Sequence, residues 1–238
     1  MILLAIRSAH CCVWAKFPLN RLLRQVHKYL SLAISTQLLL WTISGIYFSF
    51  NEIDDIRGSQ YLVDQPVRDF YISGAVNLPQ AQGISYFYRL DQLLIEAKTD
   101  EGAKFYQADG SPVEALSEDQ ARALVEQNTT LVVGTVSQIT QAEAGAEYRG
   151  RALPLYRVEA SAGDELVNVY VNPYSGKIVA VRSDAWRTWD FLWGLHIMDW
   201  NERDDFGNIF IRFFSILALI SSLSGILLYF KIRRRKLP

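Results

Sequence analysis

The sequence predicts an α+β domain of antiparallel strands packed with a helix, held outside the cytoplasm between two transmembrane α-helices. Three observations predict it. Two apolar runs have membrane-spanning length, charge is segregated into basic ends and an acidic middle, and that middle shows strand patterns punctuated by turn residues.

Residues 1–28 carry Arg7, Lys16, Arg21, Arg24 and Lys28 and no acid, which marks a basic cytoplasmic segment. Its Cys11 and Cys12 are the only cysteines, adjacent and on the cytoplasmic side, so the exported domain has no disulfide framework. The pair suits lipidation, redox chemistry or chance adjacency alike. Residues 29–50 contain no charge. At about 22 residues they exceed the roughly 20 that cross a bilayer core, and inside lipid such a run must be helical. A cleaved signal peptide is disfavoured, because the run is long and ends in the bulky Ile46-Tyr47-Phe48-Ser49-Phe50.

Residues 51–208 hold 13 basic and all 25 acidic side chains, a formal charge of −12. Residues 209–230 form the second span, with Arg212 alone charged and near enough to its outer end to snorkel. The tail, 231–238, is basic again. Basic flanks stay inside, so the expectation is a multi-pass protein of a bacterial inner membrane, with cytoplasmic termini and a periplasmic main domain.

Within that domain, residues 51–75 read as a continuation of the first helix and then a linker. Strands are expected at Ile84–Leu90 and Ala103–Ala108, the latter closing at Asp109-Gly110-Ser111-Pro112. Ser117 with Gln120 forms a capping box for a helix whose apolar stripe is Ala121, Leu124 and Val125. Further strands are expected at Leu131–Val136, Leu155–Ala160 and Glu165–Val171, the last turning through Asn172-Pro173-Tyr174-Ser175-Gly176-Lys177 into a return strand. Residues 105–113 and 169–178 echo each other, as two antiparallel halves would. Trp186, Trp189, Trp193, His196 and Trp200 then fall at helical spacing, which suits an interfacial aromatic helix near 186–200 on the outer leaflet.

The helix at 117–128, the strand Leu155-Tyr156-Arg157-Val158-Glu159 and the hairpin Val169-Tyr170-Val171-Asn172-Pro173-Tyr174-Ser175-Gly176-Lys177-Ile178 together resemble a PepSY domain. Both ends are similar to PepSY-associated transmembrane proteins. They carry Arg24-Gln25-Val26-His27-Lys28-Tyr29-Leu30 leading to Ser44-Gly45, and Leu195-His196-Ile197-Met198-Asp199-Trp200 leading to Ser224-Gly225. The chain departs from the pattern at Ser31, where the family often has glycine.

The resemblance implies a role beside membrane haem. Larger relatives move electrons through it, for instance to ferric siderophores, and His27 and His196 sit where the family puts its histidines. Both are therefore candidate ligands of haem b. A span separates them by roughly 30 Å, at about 1.5 Å per helical residue, so one haem cannot use both. A homodimer would pair each histidine with its own copy, and a redox partner subunit is the other way to complete a site. The same positions also suit a polar residue in a basic cluster and a histidine packed in an aromatic collar. His10 fits no such pattern.

Asp199, Glu202, Asp204 and Asp205 crowd one short stretch beside His196, as candidate metal ligands or as a solvated loop. No nucleophile–histidine–acid set stands out, and flavin, nicotinamide and cluster motifs are missing, so a self-contained enzyme is not expected. Nucleic acid is an unsuitable partner for an anionic domain whose basic runs flank lipid. Two functions follow. One is an accessory of haem-linked transmembrane electron transfer, such as reduction of ferric iron. The other is a non-catalytic anchored module that binds a periplasmic partner or peptide, of the peptidase-regulating type.

Overall fold

In the computed structural model, which describes residues 19–66, 68–69, 71 and 76–235, the first apolar run lies in one helix, α1 (Leu19–Phe50). That helix starts inside the predicted basic segment, so Arg21, Arg24 and His27 belong to its first turns. Its stretch Lys28–Phe50 is long and apolar enough to cross a membrane, within one residue of the predicted span. Leu32, Leu39, Ile43 and Ile46 are exposed on it, a distribution that lipid solvates and water does not. Cys11, Cys12 and His10 lie outside the described residues.

The chain divides into two units. Residues Trp41–Ile211 form one, and the residues before and after them form the other.

The expected continuation of the first helix beyond Phe50 is not found. Asn51 turns its side-chain amide back to Tyr47 O at 2.7 Å, and a separate single turn, α2 (Ile53–Ile56), follows. Gly58 then reverses the chain at φ 85°, where a Cβ would come within 2.6 Å of Val181 Cγ1, so only glycine fits. The supposed linker is also tied down at its start. After a 3-10 turn at Ser59–Tyr61, Val63 N donates to Asn128 O and Thr130 N donates to Tyr61 O.

Two antiparallel meanders follow. The first contains β1 (Gly83–Arg89), β2 (Gln92–Thr99) and β3 (Gly102–Gln107), in that order across the sheet. Strand β2, absent from the expected set, is its centre and buries Leu94, Ile95 and Ala97. The second contains β4 (Val132–Ile139), β5 (Leu155–Ala162), β6 (Glu165–Val171) and β7 (Ile178–Arg182), again in chain order. The two echoing segments fall one in each sheet, as two antiparallel halves require.

Helix α3 (Glu118–Asn128) connects the sheets, and its capping box is complete. Ser117 Oγ accepts from Gln120 N at 3.2 Å, and Gln120 Oε1 accepts from Ser117 N at 2.9 Å. Side-chain alternation along β5 and β6 sends Val158, Ala160, Val167, Val169 and Val171 to one face, against Ala121, Leu124 and Val125 of α3. Each buried valine or leucine there contributes about 1.5–3 kcal/mol, and each alanine less. The opposite face carries Leu155, Tyr170 and Ala180 with Tyr148.

The β6–β7 turn locks the sheets together. Asn172 Oδ1 accepts from Tyr174 N and Ser175 N at 3.0 and 2.9 Å. Arg89 donates to Tyr174 O at 2.9 Å, and Lys177 reaches Glu96 at 2.6 Å. Gly176, at φ 68°, lies so close to Arg89 and Leu124 that a Cβ would meet each at 2.7 Å.

Helix α4 (Asp184–Ile197) starts on a Ser183 cap, whose Oγ accepts from Trp186 N at 3.3 Å. It stops three residues before Trp200, so the predicted aromatic helix is shorter than 186–200. Asn208 caps the last helix, α5 (Ile209–Arg235), by accepting from Ile211 N at 3.0 Å. The apolar stretch described on it is Ile209–Leu223, with Phe213, Ile216, Leu219, Ile220 and Leu223 exposed.

Candidate functional site

The aromatic stripe does not lie along one surface. Trp186 is buried and turned into the domain, where Arg182 sits 4.2 Å over its ring and Arg149 5.6 Å over it. Trp189 and Trp193 stack on each other at 5.3 Å, and both touch Phe48 of α1. Trp200, beyond the helix end, is exposed and tilted against Phe210. The stripe splits because α4 has a sheet on one side and α1 on another.

His196 sits at the junction. Trp193 lies nearly parallel to its imidazole, with Phe48 edge-on at 5.7 Å and Trp41 at 6.2 Å. Two α1 side chains one turn apart hold it. Trp41 Nε1 donates to His196 O at 2.6 Å, and Ser44 Oγ lies 2.7 Å from Nδ1. Ser44, itself buried, also donates to Trp41 O at 3.1 Å. A serine hydroxyl has one hydrogen. When that hydrogen goes to the helix backbone the oxygen accepts from Nδ1–H, and when it goes to Nδ1 the ring proton is on Nε2, so the direction of this bond follows the tautomer. No hydrogen bond among the described residues engages Nε2. Burial lowers the imidazole pKa, which favours the neutral form.

Sequence reasoning found His196 through a resemblance and missed what holds it. Trp41, Ser44 and Phe48 recur at i, i+3 and i+7 on α1, a helical stripe concealed inside an otherwise apolar run. His27, the second candidate, is in the first turns of α1, and its side chain lies outside the described residues.

The four clustered acids do not converge on a cation. Asp199 Oδ1 accepts from Asn201 N and Glu202 N, and its Oδ2 accepts from Asp204 N and Asp205 N. Burial opposes ionisation there, but those four N–H groups outweigh it and hold the carboxyl below its usual range. Asp204 pairs with Arg149 at 3.1 Å, Asp205 accepts from Gly207 N, and Glu202 is exposed. Among the described residues no three histidine, cysteine or acidic side chains are gathered to hold a metal. Asp199 instead organises the loop, which approaches Gly194 so closely that a Cβ there would lie 3.0 Å from Asp199 O.

Behind this loop Asp190, almost wholly buried, accepts from Arg149 and, at 2.6 Å, from Arg203. Glu147 accepts from Arg187 at 2.7 Å, Asn168 at 2.7 Å and Tyr170 at 3.0 Å. Burial, with Glu147 adding to it, pushes the Tyr170 phenol well above its ordinary range. This polar network was invisible in the sequence, because its members are contributed by two loops, strand β6 and α4.

No curated protein and no solved structure matches the chain. A helix long and apolar enough to cross a membrane agrees with the family found. The family model described as the PepSY-associated TM region matches residues 24–238, and the chain belongs to that family of membrane proteins.

Proposed function

We propose that both apolar helices span a bacterial inner membrane, with the termini cytoplasmic and residues 51–208 periplasmic, and that the protein supports haem-linked electron transfer across it. The charge segregation of the sequence and the exposed apolar side chains of α1 and α5 support the topology. The observation that carries the redox reading is the His196 imidazole, with Nδ1 tied to Ser44 and Nε2 not engaged by any hydrogen bond among the described residues. Metal-ligating histidines characteristically donate their second ring N–H to an orienting group.

The residues present fit haem at this position. Ser44 orients the ring, Trp41 fixes the backbone beneath it, and Phe48 with Trp193 packs around it. Bound haem supplies one-electron transfer. His27 is the ligand proposed for the cytoplasmic end. A second copy of the chain or a redox partner completes each site, and ferric iron outside the membrane is the acceptor.

A dithionite-reduced minus oxidised spectrum of the detergent-purified protein, produced with haem precursor supplied, tests this. Sharp b-type bands are expected, lost in His27→Ala or His196→Ala. Ser44→Ala should retain haem about tenfold less tightly, the usual cost of removing an orienting group. A flat spectrum from a folded sample, including one co-purified with its neighbours, would sink the redox reading. The partner-binding module would then stand, with the edge strand β4 as its surface, where Val132 is 72% exposed.

A further inference from the structure

A cleft of about 280 Å³ opens beside the collar, and five arginines line it. Arg57 follows α2, Arg149 and Arg151 lie in the loop after β4, Arg182 ends β7, and Arg203 lies in the loop after α4. Three carboxylates answer them. Asp190 and Asp204 are held by Arg149 and Arg203, and Glu147 is engaged by Arg187. Among the described residues Arg57 and Arg151 have no acidic partner, and buried Arg182 donates only to the carbonyls of Glu147 and Val181. An excess of positive charge is therefore concentrated in a domain whose residues 51–208 are strongly anionic.

Burial and the neighbouring Arg151 and Arg149 pull the Arg182 guanidinium down to about 10, so these groups repel one another when nothing lies between them. A planar carboxylate is satisfied by one guanidinium fork. Several forks arriving from different elements match a tetrahedral oxyanion better. The apolar wall of the cleft is Trp186, Trp189 and Trp193, and the last two also contact Phe48, one turn from the end of the membrane helix α1. That is the depth at which lipid headgroups lie.

We propose that this cleft binds a phosphate-bearing anion, presented either by a membrane phospholipid headgroup or by a soluble phosphate compound. The site does not depend on haem; only the lipid source depends on α1 spanning the bilayer.

The three tryptophans make the cleft its own reporter. The full chain in detergent is titrated with inorganic phosphate, against chloride at equal ionic strength, and separately with dihexanoyl phosphatidylglycerol, while tryptophan fluorescence is followed. A saturable change is expected with at least one probe. Arg57 and Arg151 are exposed and unpaired, so the double variant R57Q/R151Q should keep its thermal midpoint and bind about tenfold more weakly. Saturation by the lipid alone assigns the site to a headgroup, whereas saturation by inorganic phosphate assigns it to a soluble ligand. No saturation with either probe, or a folded double variant that binds as tightly as the parent, overturns the proposal.

Discussion

The β4–β7 sheet has two unlike faces. Toward α3 it presents valines and alanines, dry and closed by Leu124 and Val125. Away from α3 it presents a smaller apolar cluster of Leu155, Tyr170 and Ala180 with Tyr148, bordered by Glu147, Arg182 and Arg187, which are held by charge-assisted hydrogen bonds. The first face is held by area removed from water, which tolerates substitution in proportion to the volume lost. The second is held by pairing, and pairing fails abruptly when one partner goes. Function is expected on the second face, because groups that pair with each other also pair with a ligand.

The sharpest way to break this contrast is Asp190→Ala, which takes its carboxylate from half-buried Arg203 and leaves Arg149 with Asp204 alone. A loss of about 3–5 kcal/mol is expected, measured by chemical unfolding in detergent. A variant as stable as the parent would show that the polar face is water-penetrated and not a paired network. On the aliphatic face, Leu124→Ala should cost about 2–5 kcal/mol in the same measurement, the lower end if the valines around it close in. The smallest effect is a pH dependence. His196 has a lowered pKa in the folded chain, so the unfolded chain takes up its proton first as pH falls. Its contribution is present above about pH 6.5 and is lost on acidification through the folded value. Thermal midpoints from about pH 7.5 to 5.5 should decline slightly more in the parent than in His196→Gln, and parallel curves would contradict this.

What was legible in the sequence was what depends on neighbours along the chain. The Ser117–Gln120 box, the Asn172–Lys177 turn and the first span follow from residues within a few positions of each other, and each is found within a residue or two. Strand β2 escaped because Leu93-Leu94-Ile95 gives no alternation, being buried at the centre of its sheet. The clustered acids left two readings, a cation site and a solvated loop, and composition does not choose between them. Asp199 spends its oxygens on backbone N–H groups, which composition does not reveal. The arginine cleft gathers positions 57, 149, 151, 182 and 203, and no local pattern could have assembled them.

The last ten or so residues of α1 fold as part of the larger unit, which begins at Trp41. A fragment cut at the domain's apparent edge, residue 51, would lose Trp41, Ser44 and Phe48 together, leaving Trp189 and Trp193 bare and adhesive. Exchanging the membrane helix for an unrelated one would do the same damage. The end of the helix and the domain are therefore one folding piece, with no seam between them at which they could be cut or exchanged.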